Sequence, residues 1–170
     1  MATILEQEEK QELEKRIDSI TKSCKPFINK MLKNLTDKNP ENANNICDYI
    51  IAEQTEFNIK DSTKIGKIKA LVYLSRFCND KNFKEMTKQD ILDHLNTFRP
   101  HDHNNSNNNQ TSANNNKWIG TYNFRQMIFG KFFRWLYNPD EADPTKREKP
   151  DCMKGVRKLP KKRKIIIQFW

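Results

Sequence analysis

One segment constrains this fold more than any other. Residues 118–137 hold eight of the seventeen aromatic residues in a chain of 170. Trp118, Tyr122, Phe129, Phe132, Phe133, Leu136 and Tyr137 crowd one broad side at helical spacing. Only 35% of the chain is hydrophobic, so a core has to gather around this helix. The stripe therefore reads as core and not as a base-stacking platform. Asn138-Pro139-Asp140 stops it. With 4 Gly in the chain, a Gly-turn-rich β-barrel is excluded, and so is a phosphate-cradling Gly loop.

The remaining pattern is helical. Residues 3–23 form a loose stripe of Ile4, Leu5, Leu13, Ile17 and Ile20, and Pro26 restarts a short helix through Leu35. Pro40 and the Asn-rich stretch 42–45 read as a break. A helix over 43–56 follows, with Ile46, Tyr49, Ile50 and Phe57 near helical spacing. Residues 61–79 are a strong helix, capped by Asp61 or Ser62, with Ile65, Ile68, Leu71, Val72, Ser75 and Cys78 turned inward. Lys60, Lys64 and Lys67 make a second stripe, offset from that core face. Thr87-x-x-Asp90 is a capping box with a shortened acid. It opens a helix whose apolar side is Ile91, Leu92, Leu95 and Phe98, and Pro100 ends it.

Eight of the sixteen residues 101–116 are Asn, and none is apolar beyond Ala. That stretch cannot bury enough surface to offset its ordering entropy, and it reads as a mobile loop. The expected architecture is all-α: a compact bundle of four to five helices over 41–140, a helical extension over 1–40, and a basic linker with an apolar tail over 141–170.

The formal charge of +9 is unevenly placed. Residues 144–164 hold ten Lys/Arg against Glu148 and Asp151, so 1–143 is nearly neutral. Residues 58–79 carry Lys60, Lys64, Lys67, Lys69 and Arg76 against Asp61 alone, and 117–137 carry Lys117, Arg125, Lys131 and Arg134 with no acid. Three basic zones in one short chain are the footprint of a polyanion binder. The first 18 residues, by contrast, hold six acids and three bases.

Several chemistries find no residues to carry them. Cys24, Cys47, Cys78 and Cys152 contain no C-x-x-C pair and read as scattered reduced thiols of a cytoplasmic protein, not as a disulfide framework or zinc ligands. His94 reads as a surface residue. His101-Asp102-His103 lies in the Asn-rich loop, where nothing would orient a metal, so no metal site and no cofactor is expected. Walker A, G-x-S-x-G and H-E-x-x-H motifs are absent. Apolar runs fall far short of a membrane span, and the acidic start is not a signal peptide. No catalytic residues and no small-molecule substrate are expected.

Three ordered segments resemble one family. The run from Asp61 to Phe77 (DSTKIGKIKALVYLSRF) resembles the Ser/Thr-led helix of the tyrosine recombinases, the phage-type integrases. Phe83 to Leu95 (FKEMTKQDILDHL) is similar to that family's short Thr-acid-Ile-Leu helix, and Lys117 to Tyr137 (KWIGTYNFRQMIFGKFFRWLY) to the last helix of the same domain. The style is closest to archaeal integrases, and the likeness covers about residues 41–160. It implies the N-terminal core-binding, SAM-like domain, one half of a clamp that closes around double-stranded DNA. Its two crossing helices, here 61–79 and 118–137, would lie against the major groove, with 144–164 as the basic linker toward a catalytic domain.

Under that resemblance Lys60, Lys64, Lys67, Lys117, Arg125, Lys131 and Arg134 would meet phosphates, while Ser62, Thr63, Thr121, Asn123 and Gln126 would reach base edges or phosphates. The chain departs from the family where the chemistry should be. No His is followed three residues later by Arg, and Tyr49, Tyr73, Tyr122 and Tyr137 have no catalytic setting. The expectation is a DNA-binding module of DNA integration and recombination, without strand cleavage, from a truncated or frameshifted gene or an expressed fragment. The alternative is a helical protein-interaction module, or a truncated regulator that associates with full-length recombinase protomers. Pro160-Lys161-Lys162-Arg163-Lys164 also matches a nuclear-import signal, and the linker reading ranks above it. A membrane partner ranks last.

Overall fold

The computed structural model describes residues 4–100 and 117–161. Six α-helices and two 3-10 turns make up its regular structure, and no strand occurs among the described residues. The helices are α1 (Ile4–Thr21), α2 (Pro26–Lys38), α3 (Pro40–Phe57), α4 (Asp61–Phe77), α5 (Lys88–Asn96) and α6 (Lys117–Tyr137). The all-α class stands. The Asn-rich loop with His101-Asp102-His103, and the tail Ile165–Trp170, lie outside the described residues.

α1 buries Leu13, Ile17 and Ile20, and α2 buries Ile28, Met31, Leu32 and Leu35. These side chains belong to one core with α3, α4 and α6, so the helical extension expected over 1–40 is packed on the rest of the chain. Ile17, Ile28 and Leu32 have no exposed surface. Burial of each is worth about 1.5–3 kcal/mol, which ties the first two helices firmly to the rest.

The expected break at Pro40 and 42–45 is the start of α3. Pro40 takes the first helical position, where a missing N–H costs nothing. The Asn39 side chain caps the helix by accepting from the Asn42 N–H at 2.9 Å. Asn42 is fully buried and fully used. It donates to the Ser75 hydroxyl and the Lys81 carbonyl, each at 2.9 Å, and accepts from the Phe83 N–H at 2.9 Å. Asparagine that would compete with a helix in isolation here has partners forty residues away.

α6 runs through the centre. Phe129, Phe132 and Phe133 are fully buried. The Phe132 ring meets Tyr49 of α3 at 5.2 Å and Phe83 at 4.8 Å, both edge to face. The helix ends at Tyr137 as the Asn138-Pro139 signal requires. α5 starts on the expected capping box, with Thr87 and Asp90 each bonded to the other's backbone N–H. His94, read as a surface residue, is instead 6% exposed. It sits among Phe77, Phe98 and Phe129, which cover its ring from three sides of the fold.

The basic stretch after α6, read as a linker, is packed as far as Leu159. We call residues 141–161 the strap. Its Cys152, Met153 and Val156 are buried, and Leu159 packs against the core. Arg147 is 7% exposed and grips Glu56 of α3 with both arms of its guanidinium, at 2.6 and 3.2 Å. All four cysteines are free thiols. Burial pushes Cys47 up to about 12 and Cys78 and Cys152 up to about 11, so these thiols are inert near neutrality.

Candidate nucleic-acid interface

α4 is the element on which the sequence-derived site depended, and its faces are not where the charge pattern put them. Lys64 and Lys67 are 3% and 4% exposed. They point into the protein and not along an open stripe. The Lys64 ammonium reaches Asp61 at 2.9 Å and the Ser23 hydroxyl at 3.1 Å, holding α4 to the turn between α1 and α2. Lys67 is ion-paired with Glu53 of α3, itself 4% exposed, and lies over the Tyr49 ring at 5.3 Å. Burial pulls the Lys67 ammonium below the usual lysine range, against the opposing pull of Glu53.

The expected caps are also absent. Lys60 holds the N-cap position with no side-chain bond, and Asp61 is spent on Lys64 and Ser23. Its carboxyl is held below the usual range by the Ser23 hydroxyl first and Lys64 second.

What α4 shows to solvent is the arc Ser62, Ile65, Lys69, Tyr73 and Arg76, spaced by three or four residues, with exposed Lys60 and Thr63 at its start. Ile65 was expected inside and is only half-buried. Lys69, Tyr73 and Arg76 were not named as contacts. The signal for them was present, since they lie opposite Ile68, Leu71 and Ser75, but it was masked by the lysines at 64 and 67.

α6 divides more simply. Lys117, Thr121, Phe124, Lys131 and Arg134 are exposed. Asn123 and Gln126, expected to reach DNA, hold the strap instead. Asn123 donates to the Leu159 carbonyl at 2.9 Å and accepts from the Leu159 N–H at 2.7 Å, as a neighbouring strand would. Gln126 donates to the Val156 carbonyl at 3.2 Å. Arg125 turns the other way, and its guanidinium lies 5.6 Å from the Tyr73 ring and 5.8 Å from that of Phe98. Its Nη1 has no hydrogen-bond partner, and burial lowers its pKa.

Phe124, next to Asn123 in sequence, reaches α4. A Cβ on Gly66 would come within 3.3 Å of its ring. Gly66 therefore serves this close approach of the two helices. α6 is thus flanked by α4 on one side and the strap on the other, at the same turn. The strap brings exposed Arg157, Lys158 and Lys161 to that flank.

The opposite sign collects elsewhere. Residues 1–57 hold 8 Lys/Arg and 11 Asp/Glu, so the rest of the chain is +12 against their −3. A cleft of about 880 Å³ among α1, α2 and α3 is lined by Glu9, Glu12, Asp37 and Glu41 with Lys10 and Arg16. A second, of about 670 Å³ where the strap meets α5, is lined by Lys88, Lys149, Lys154, Glu148 and Asp151. Neither gathers a nucleophile, a base and a group to orient it. Among the described residues no three metal-ligating side chains converge, and no helix is long and apolar enough to cross a membrane. What the arrangement presents is a set of exposed cations on α4, α6 and the strap. Comparison of the chain with protein-family models, curated proteins and solved structures gives no match.

Proposed function

We propose that this chain is a double-stranded DNA-binding module, acting as the core-binding half-clamp of the tyrosine recombinases it resembles, with no strand-cleaving chemistry of its own. The observation that carries the reading is the acid-free α6, packed between the outward arc of α4 and the basic strap. Lys117, Lys131 and Arg134 supply phosphate contacts from α6, Lys69 and Arg76 from α4, and Arg157, Lys158 and Lys161 from the strap. Thr121 and Ser62 add hydroxyl donors at the helix starts. These groups set position and affinity and leave little sequence readout, because the amides that could read base edges, Asn123 and Gln126, are engaged by the strap.

The acidic cleft of α1–α3 repels the same backbone and orients the encounter. Fluorescence anisotropy with a blunt duplex tests this directly. If about six phosphates are neutralised, log K against log salt falls with a slope of about −5. Lys131→Glu with Arg134→Glu weakens binding at least tenfold, and charge reversal at Lys10 on α1 has no such effect. Affinity that ignores salt defeats the proposal. Self-association in light scattering without DNA binding favours the protein-interaction module instead.

A further inference from the structure

Four of the large hydrophobic side chains left exposed stand around the outward arc of α4. Phe27, Tyr73, Phe77 and Phe124 are 46%, 38%, 44% and 46% exposed. Each is held from one side. The Lys69 ammonium lies 5.7 Å from the Phe27 ring, and Arg125 lies over Tyr73. Phe77 meets His94 edge to face at 5.0 Å. Phe124 lies against the bare backbone of Gly66.

The setting narrows what can cover these rings. Residues 62–76 contain no acid, and neither does α6. The carboxylates at the two ends of α4 are already engaged: Asp61 by Ser23 and Lys64, Asp80 by the Ser75 hydroxyl, and Asp90 by Lys81 and the Thr87 cap. A purely apolar protein partner would strip water from Lys69 and Arg76 and return nothing. A polyanion that also carries flat rings satisfies both, because its phosphates meet the cations while its bases stack on the aromatics. Lys69 and Tyr73 of the arc, and Phe77 one turn beyond at its edge, follow one another at about 5–6 Å spacing, a cation and then two exposed rings. Bases inside a duplex show only their edges in the grooves and cannot stack on these rings.

We propose that the outward arc of α4, with Phe27 and Phe124 at its sides, is a stacking platform for unpaired DNA bases. The inference rests on the DNA-binding reading and deepens it. The preferred ligand is DNA in which a single-stranded stretch adjoins duplex, the duplex lying on the cations of α6, the strap and α4, and the open strand continuing over the exposed rings around α4. Arg125 stiffens the Tyr73 ring from one face, and the missing Cβ of Gly66 leaves room for the Phe124 ring against α4.

The test uses the full chain and three probes of matched length at one salt concentration: a blunt duplex, a single strand, and a duplex with an overhang carrying 2-aminopurine. The overhang probe is expected to bind about tenfold more tightly than the blunt duplex, with its 2-aminopurine fluorescence quenched on binding. Tyr73→Ala and Phe124→Ala each remove about tenfold of the overhang affinity and the quenching, and change blunt-duplex binding less than twofold. Tyr73→Leu keeps the apolar surface and loses the flat ring, so it behaves as Tyr73→Ala does. Equal binding of blunt and overhang probes, or a Tyr73→Leu protein that still quenches, overturns the platform while the DNA-binding reading stands. Binding of none of the three probes overturns both. A dimer in light scattering that Tyr73→Ala dissolves would assign the arc to a second copy of this chain and also overturn it.

Discussion

The inner and outer arcs of α4 carry the same residue type to opposite ends. Lys67 and Lys69 are two positions apart, yet Lys67 is buried against Glu53 while Lys69 stands half-exposed beside Phe27. One is part of the scaffold and the other is available to a partner. The difference teaches that a lysine count along a helix measures charge and not surface. α4 is surrounded by α2, α3, α5 and α6, so its buried arc is wide enough to take in Lys64 and Lys67 along with the aliphatic residues.

The contrast breaks most visibly at Glu53. Glu53→Gln leaves the Lys67 ammonium buried without its counter-charge and costs about 3–5 kcal/mol in urea unfolding. Replacing both partners, Glu53→Leu with Lys67→Met, restores most of that loss, since the pair itself adds little over a good apolar fit. If Glu53→Gln is as stable as the wild type, the inner arc is not the closed scaffold described here.

The end of α4 is sensitive to acid through His94 of α5, which packs on Phe77. Burial, with Arg125 adding repulsion, lowers its pKa to about 4 from an ordinary 6.5, and neither ring nitrogen has a hydrogen-bond partner. The folded state therefore refuses a proton that the unfolded chain accepts. Its contribution is intact above pH 6.5, is lost as the pH falls toward 4, and then levels off. Between pH 7 and 5 the loss amounts to about 2 kcal/mol. Subtracting the pH profile of His94→Leu from that of the wild type isolates it, and parallel profiles would refute it.

The strap sharpens the comparison from the other flank of α6. Asn123→Ala removes both bonds to Leu159 and costs about 1–2 kcal/mol. It also frees Arg157 and Lys158 to trypsin and lowers duplex affinity with no change in charge. Unchanged proteolysis would mean that the apolar contacts of Met153 and Val156 hold the strap alone. The smallest stability effect belongs to the outer arc, where Lys69→Ala moves unfolding by less than about 0.5 kcal/mol while weakening DNA binding. A large loss of stability there would place Lys69 with Lys67 and erase the distinction.

Short-range signals were legible and interactions across the fold were not. Thr87 and Asp90 form their capping box because both partners lie within one turn. Asn138-Pro139 ends α6 for the same reason. The Asn-rich start of α3 read as a break because its partners, Ser75, Lys81 and Phe83, are far along the chain. Asn123 and Gln126 fit DNA contacts by residue type and position, and only the return of the strap to α6 shows that they are already engaged. Lys131 and Arg134 lie off the apolar stripe of α6 and are exposed. Tyr73 and Phe124 belong to neither apolar stripe, and the sequence offers no local sign that their rings stay exposed.

By itself the sequence determined the all-α class, most helix boundaries, the apolar residues of the core and the basic bias of everything after residue 57. These follow from propensity and periodicity, which act over four residues or fewer. The tertiary structure alone decided which cations face water, that the first forty residues share the core, and that the basic stretch after α6 is a packed strap. Those outcomes depend on Glu53, Ser23, Glu56 and Leu159 arriving beside Lys67, Lys64, Arg147 and Asn123 from other helices, turns and the strap. No local pattern encodes such a meeting, because burying a charge or an amide is favourable only once its partner is already there.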